Sequence, residues 1–213
     1  MVEERSLEES RRVNSLDRLI GLSDGIFAFA ITLLALDLVT PVIVGQATDT
    51  SLAISLVGEF HSFFGFFVSF WVISLHWLSH HRIFRYIKTS DPGLLALNLA
   101  LLFFVVLIPF ATRVLNYGFL PVALIVYALI QIGALVMDSI IWKYASRDGS
   151  HLLDAQISSN TKRWLSMRGY VGSVIFALSI LIAFVNPDLS VVSWLMAAPI
   201  LVILDRRYSK RTR

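Results

Sequence analysis

The residues of this chain best suited to binding protons or ions are ionisable side chains inside otherwise apolar segments. Arg18 and Asp24 lie at one end of a long apolar stretch, and His76 and His80 lie four residues apart in a second one. Charged groups at membrane depth are costly, so they mark a functional or assembly site. A buried carboxylate near imidazoles is typical of proton binding, because histidine titrates near neutral pH.

These groups are predicted to form one polar layer near the inner membrane surface. Arg18 and Asp24 point about 120° apart on a helix, so each needs a partner on another helix. We favour a hydrogen-bonded clamp between helices, because unsatisfied polar groups in lipid are costly, and a proton-sensing site stays open. One histidine pair is weak evidence for a metal ion, and no metal site is predicted. The predicted layer contains Arg18, Ser23, Asp24, His76, His80, His81, Asn98 and Asp138.

Two stripes follow the first apolar segment when residues are spaced at about 100°. The stripe of small residues is Gly21, Gly25, Ala28, Thr32 and Ala35. The stripe of bulky residues is Leu22, Ile26, Phe29, Leu33 and Leu36. A Gly-x-x-x-Gly spacing lets helices approach closely in membranes. The bulky stripe either meets lipid and other helices or lines a hydrophobic constriction, and periodicity alone leaves both open.

The composition is that of an integral membrane protein. Of 213 residues, 56% are hydrophobic and 15% are charged, whereas soluble domains have about 25% charged residues. The mean hydropathy is +0.73. The chain has no cysteine, which excludes disulfides and thiolate metal sites. The pI of about 9.4 requires no nucleic-acid partner, because basic loops serve membrane orientation and anionic headgroups.

The elements that must position the polar layer are six predicted spans in an all-α, polytopic fold. They form a domain of residues 19–204, between an N-terminal segment of residues 1–18 and a basic tail of residues 205–213. In this arrangement all lysines and arginines except Arg113 fall on the same side of the membrane. The positive-inside rule therefore places both termini in the cytoplasm. The spans are Leu19–Val39, Leu56–Leu78, Gly93–Thr112, Phe119–Trp142, Gly169–Val185 and Val191–Leu204.

Three further expectations concern the connections and the second span. Thr40–Ser55 is predicted to be an external loop, and Tyr144–Met167 a partly amphipathic cytoplasmic linker. Asp91-Pro92 is typical of a helix start. Small residues on the second span, including Gly65 and Ser69, are predicted to pack on the first span.

The first segment carries a recognisable motif. Arg18 is followed after three residues by Leu22-Ser23-Asp24 and then by a long apolar run ending at Asp37. This resembles the prokaryotic transmembrane protein 175 family, whose mark is an Arg, three residues and Phe-Ser-Asp. The likeness continues through Trp77–Phe84 and from Asn98 to Thr112, which is most of the first half of the chain.

The resemblance implies a potassium-permeable channel of four subunits in a bacterial plasma membrane. Each subunit would have six helices, and the first helix would line a central pore without a carbonyl filter. By position, Phe29, Leu33 and Leu36 would form the constriction and Thr32 would affect selectivity. The Arg/Ser/Asp set and the histidines would brace the helices. Its partners would be potassium, other monovalent cations, membrane lipid and copies of the chain, with no cofactor and no enzymatic activity.

Two residues depart from the family pattern, and rival functions stay open. Leu22 replaces the motif phenylalanine, and Phe29 stands where the family usually has Ile or Leu. Phenylalanine rings there would close the path more firmly or contact a cation with their faces. The main rival is a proton-coupled secondary transporter that uses Asp24 and His76. A membrane enzyme that holds haem or quinone with its histidines is a more distant one.

Overall fold

The computed structural model describes residues 2–43, 45–147, 150–153 and 157–195. Apart from one isolated bridge between Ile87 and Leu153, the ordered secondary structure in these ranges is helical. A seventh helix, α7, is described over residues 187–195. The other helices are α1 (Val2–Leu36), α2 (Asp49–Gly58), α3 (Phe60–Phe84), α4 (Pro92–Leu115), α5 (Pro121–Ala145) and α6 (Ser159–Ala183).

Five of the described helices are long and apolar enough to cross a membrane: α1 from Val13 onward, α3, α4, α5 and α6. The predicted all-α, membrane-spanning fold is therefore confirmed at this level. The sixth predicted span, Val191–Leu204, runs beyond the described residues, as does the tail of residues 205–213. Six crossings and the three-part division of the chain stay predictions.

The second predicted span is wrong at its start. The segment Thr40–Ser55, predicted as a loop, contains the beginning of α2, where Thr48 and Ser51 form a reciprocal capping box. The helix then ends at Gly58, and α3 begins at Phe60 after the non-helical Glu59. Glycine favours helix ends, so Gly58-Glu59 was the signal for this break inside an apolar run.

Two other boundaries also differ from the prediction. The helix α1 extends from Val2, well before the predicted span, and neither glycine nor proline interrupts the chain before Gly21. The helix α6 begins at Ser159, inside the predicted Tyr144–Met167 linker, where Ser158 caps it. Trp164 and Leu165 are buried within α6, so their apolar character reflects packing inside the subunit.

The helix α4 lies in the middle of the bundle, packed against α1, α3 and α5, and α5 packs in turn against α6. The contact between α5 and α6 depends on Gly169. A Cβ atom on that glycine would lie 2.7 Å from the backbone oxygen of Leu135. Only a residue without a side chain allows this approach, which is a common device where helices meet in membranes.

At one end of the bundle, hydrogen bonds join the α3–α4 connection to the end of α5 and to the α5–α6 connection. The side chain of Asp91 accepts a hydrogen bond from the amide of Leu94 at 2.7 Å, which confirms the predicted start of α4. The hydroxyl of Tyr144 donates to the other oxygen of Asp91 at 2.9 Å. The amide of Lys88 donates to the carbonyl of Leu152 at 2.8 Å. The α3–α4 and α5–α6 connections are thereby fixed to one another.

Candidate functional site

The first helix buries one face in the bundle and leaves the opposite face uncovered. Its buried residues recur every three or four positions, as one face of a helix requires. They are Leu16, Leu19, Ser23, Phe27, Ala30 and Leu34. The exposed side, called here the open face, consists of Arg18, Gly21, Leu22, Gly25, Ala28, Phe29, Thr32, Ala35 and Leu36. Most members of both predicted stripes therefore lie on the open face.

Apart from Arg18 and Thr32, the open face is apolar, and it makes no close contact at its glycines. The side chains of Phe29 and Leu36 are 64% and 77% exposed, and Leu33 is half-buried beside them. A Cβ atom placed on Gly21 or Gly25 would have nothing within 4 Å. A contiguous apolar surface of this kind is typical of a face that meets lipid or another protein surface.

Three predicted members of the polar layer form one buried network between α1, α3 and α4. The amide nitrogen of Asn98 donates to Ser23 Oγ at 2.9 Å. Asn98 Oδ1 lies 3.0 Å from His80 Nε2, and because this oxygen only accepts, the imidazole donates. Ser23 Oγ donates in turn to the carbonyl of Leu19 at 2.9 Å. We call this set the Ser23–Asn98–His80 network.

Asp24, His81 and Arg18 lie outside this network, on more exposed positions. Trp77 Nε1 donates to Asp24 Oδ1 at 2.8 Å. The Trp77 ring stacks on His81 with ring centroids 5.7 Å apart. Arg18 is exposed on the open face. The carboxylate of Asp24 is thus held from α3 by an indole rather than by an imidazole.

His76 does not join Asp24 or the Ser23–Asn98–His80 network. Its Nε2 atom lies 2.9 Å from Gln131 Oε1 on α5. Because residues 76 and 77 point about 100° apart on a helix, Trp77 faces Asp24 while His76 faces α5. The predicted single layer is therefore divided into three groups, around Asn98, Asp24 and Gln131. The Asp24–His76 pair required by the transporter alternative is not assembled in the subunit.

A polar chain between α3, α4 and α5 was missed by sequence reasoning. Thr112 donates to Ser69 at 2.6 Å, and Ser69 lies 3.1 Å from the hydroxyl of Tyr127. Gly65 likewise faces Thr112, so this small-residue face packs on α4 and α5, and the expected packing on α1 is wrong. The available signal was the spacing of Tyr127 and Gln131, four residues apart on α5, which places both on one helix face.

A second missed contact fixes the far end of α1. Arg113, at the end of α4, forms a hydrogen-bonded ion pair with Asp37, which directly follows α1. The Arg113 side chain is 69% exposed, whereas Asp37 is only 11% exposed. The isolated basic residue in the sequence was the available signal for this pair. Within the described parts of the chain, no cluster of three or more His, Cys, Asp or Glu side chains is placed to hold a metal ion.

Comparison with known proteins identifies the family. A sequence model of the endosomal/lysosomal potassium channel TMEM175 matches residues 18–109, which include the Arg18–Asp24 motif and Asn98. A potassium channel of Streptomyces collinus is 32% identical over 84% of this chain and 87% of its own length. A potassium channel of Chamaesiphon minutus is 30% identical over 86% of this chain and 91% of its own.

A more distant sequence relative and a solved structure belong to the same family. The rat endosomal/lysosomal proton channel TMEM175 is 26% identical over 72% of this chain, which corresponds to 30% of that protein. The crystal structure of a lysosomal potassium-selective channel TMEM175 homolog from Chamaesiphon minutus superposes with a TM-score of 0.75. That match has 26% identity and covers 92% of this chain and 98% of the other. This chain therefore belongs to the TMEM175 family, a family of ion channels.

Proposed function

We propose that this protein is a potassium channel in which four copies of the chain surround a pore lined by the open face of α1. The observation that carries the proposal is the burial pattern of α1. One face is held in the bundle, while Phe29 and Leu36, on the other, are 64% and 77% exposed. The potassium channels of Streptomyces collinus and Chamaesiphon minutus, which align over most of this chain, support potassium as the permeant ion.

The constriction is formed by Phe29, Leu33 and Leu36. These residues span about 10 Å of helix at 1.5 Å per residue, so four copies would give successive apolar rings. Apolar rings control permeation by losing and regaining water as the pore widens. Because α1 is helical throughout Val2–Leu36, its carbonyls bond within the helix, which argues against a filter of carbonyl groups.

Thr32 is the polar group best placed to affect selectivity. Its hydroxyl donates to the carbonyl of Phe29 at 2.8 Å, which leaves its oxygen lone pairs free to accept. An exposed hydroxyl oxygen between apolar rings would offer a cation partial compensation for lost water. The phenyl faces of Phe29 would add an attraction for cations.

The Ser23–Asn98–His80 network, on the buried side of α1, is consistent with a pore-lining role for the open face. It joins α1 to α3 and α4 through the buried face, so the helix is held with its open face directed away from the subunit. The plasma membrane of a bacterium, with both termini in the cytoplasm, fits the one-sided distribution of basic residues.

The test is a reversal-potential measurement on purified protein in planar bilayers, with potassium on one side and sodium on the other. A potassium channel should give a passive current whose reversal potential shifts towards the potassium equilibrium potential. A saturable flux coupled to proton movement would instead support a transporter. An absence of current in preparations that retain the folded protein would contradict the proposal.

A further inference from the structure

The short helix α2 is apolar but packs into no core of the subunit. It runs from Asp49 to Gly58, and none of its residues is buried. An apolar segment of about 10–14 residues is typical of a buried core helix or of a helix at the membrane boundary. Because α2 has no buried residue, it is not a core helix of its own subunit.

The polarity of α2 is the reverse of that of a helix exposed to water. Ser51 and Ser55, one turn apart, are the half-buried positions of α2, so these polar side chains turn towards the subunit. The opposite surface carries aliphatic side chains, and those of Ile54 and Val57 are 68% and 76% exposed. No residue of α2 after Asp49 is charged. An exposed surface of this kind marks contact with a membrane or with another protein.

The length of α3 indicates the depth at which α2 lies. Glu59, directly before α3, and Arg82, in its last turn, are separated by about 35 Å of helix at 1.5 Å per residue. The hydrocarbon core of a bilayer is about 30 Å thick, so the helix between these two charged residues is long enough to cross it. The helix α2 therefore joins α3 where the hydrocarbon core ends.

The backbone at Glu59 allows α2 to leave the axis of α3. This residue has φ −83° and ψ 15°, outside the range of an α-helix, and α3 begins without a side-chain cap. A straight continuation would carry α2 about 15 Å beyond the hydrocarbon core and leave its aliphatic side chains in water. A change of direction at Glu59 would place them against the membrane surface instead.

Lipid fits the exposed surface of α2 better than a second copy of the chain does. Helices that pack on one another in membranes do so through small residues, and the small polar residues of α2, Ser51 and Ser55, face its own subunit. The aliphatic surface also continues onto α3, which is long and apolar enough to cross the membrane. There Phe60 and Phe67 are exposed, so the exposed side of α2 is continuous with a surface at membrane depth.

We propose that α2 is an interfacial helix that lies on the membrane surface, with Ile54 and Val57 inserted at the boundary between lipid headgroups and acyl chains. Asp49 and the capped first turn stay on the aqueous side. Interfacial helices are held by the apolar area that they bury at this boundary. The helix thus anchors the α1–α3 connection to lipid. Because α2 is not part of the open face of α1, this anchor does not depend on potassium conduction.

Spin labelling in liposomes of phosphatidylethanolamine and phosphatidylglycerol tests the proposal, because the chain has no native cysteine. Nitroxide labels are attached to Ile54→Cys and Val57→Cys in the full chain, and their collisions with oxygen and with a water-soluble nickel chelate are measured by power saturation. Oxygen concentrates in lipid, so both labels should favour oxygen. Phe67→Cys on α3 is the lipid reference, and Gln46→Cys, at an exposed position before α2, is the aqueous reference.

The ratio of oxygen to nickel collisions at Ile54→Cys should lie nearer to that of Phe67→Cys than to that of Gln46→Cys. A ratio like that of Gln46→Cys would show that α2 stands in water, and the proposal would be overturned. Strong immobilisation with few collisions by either reagent would show that another copy of the chain covers α2, which also overturns it. Ser55→Cys, on the side towards the subunit, is the matched control and should collide less with oxygen than Ile54→Cys does.

Discussion

At the residue scale, Phe29 and Leu33 carry the most direct prediction about permeation. Phe29→Ala or Leu33→Ala would widen an apolar ring, so we expect a larger potassium current and poorer discrimination against sodium. Bilayer recordings with the two cations on opposite sides measure both quantities. Phe103→Ala on α4, at a position 60% exposed, is the matched control and should leave them unchanged. Wild-type currents in both α1 variants would remove these residues from the pore.

A second residue-scale prediction concerns Asn98, which is fully buried at the centre of its network. Asn98→Ala would leave the His80 ring without its acceptor, at a cost of about 1–3 kcal/mol for an orphaned buried group. Ser23 would lose one donor but keep its bond to the carbonyl of Leu19. The thermal midpoint of the purified protein should therefore fall. Asp24→Asn should have little effect, because its amide oxygen can still accept from Trp77. An equal loss in the two variants would contradict the central role of Asn98.

Residue spacing predicted this network only in part. Ser23, His80 and Asn98 meet as expected because membrane depth can be counted along each span. The partner of His76, Gln131 on α5, was not predicted. Depth gives the position of a side chain along the membrane normal but not the direction in which it points. That direction decides whether His76 faces α1 or α5.

At the element scale, the two stripes of α1 raise the question of what covers the open face. Gly25→Ala should stabilise an isolated α1 slightly, since alanine is favoured over glycine in helices by about 1 kcal/mol, and nothing in the subunit opposes the added methyl group. If α1 packs closely on another copy, the same methyl group should reduce the tetramer fraction. Native mass spectrometry measures that fraction.

The control for this experiment is Gly58→Ala, because a Cβ there also meets nothing within 4 Å and the site lies on α2. It should leave assembly unchanged. An unaltered tetramer in Gly25→Ala would show that the glycine stripe faces lipid, and a monomeric wild type would remove the basis of the four-subunit pore.

The periodicity of α1 was sufficient to find its stripes but not to say which one the subunit buries. The buried face is neither stripe, because Leu19, Phe27 and Leu34 lie on the side of the helix opposite the small residues. The α2–α3 boundary was missed for a related reason. Leu56 and Val57 are apolar enough to extend a span, yet Gly58 and Glu59 end the helix between them and Phe60.

At the scale of the whole molecule, the orientation of the bundle can be tested directly because the chain has no native cysteine. Thr50→Cys on α2 and Ser159→Cys at the start of α6 are at exposed positions and lie on opposite sides of the membrane in the proposed topology. A membrane-impermeant thiol reagent should label Thr50→Cys in intact cells and Ser159→Cys only after permeabilisation. The reverse pattern would place both termini outside.

Two of the polar attachments of α1 to its own subunit differ in kind. At Ser23 it is fixed by buried hydrogen bonds, whereas about 21 Å further along its axis Asp37 is held by a largely exposed arginine. Salt weakens exposed ion pairs far more than buried contacts. High ionic strength should therefore loosen α1 only at its Asp37 end. The segment from Phe29 to Leu36 would then move relative to the subunit, while Ser23 stays in place.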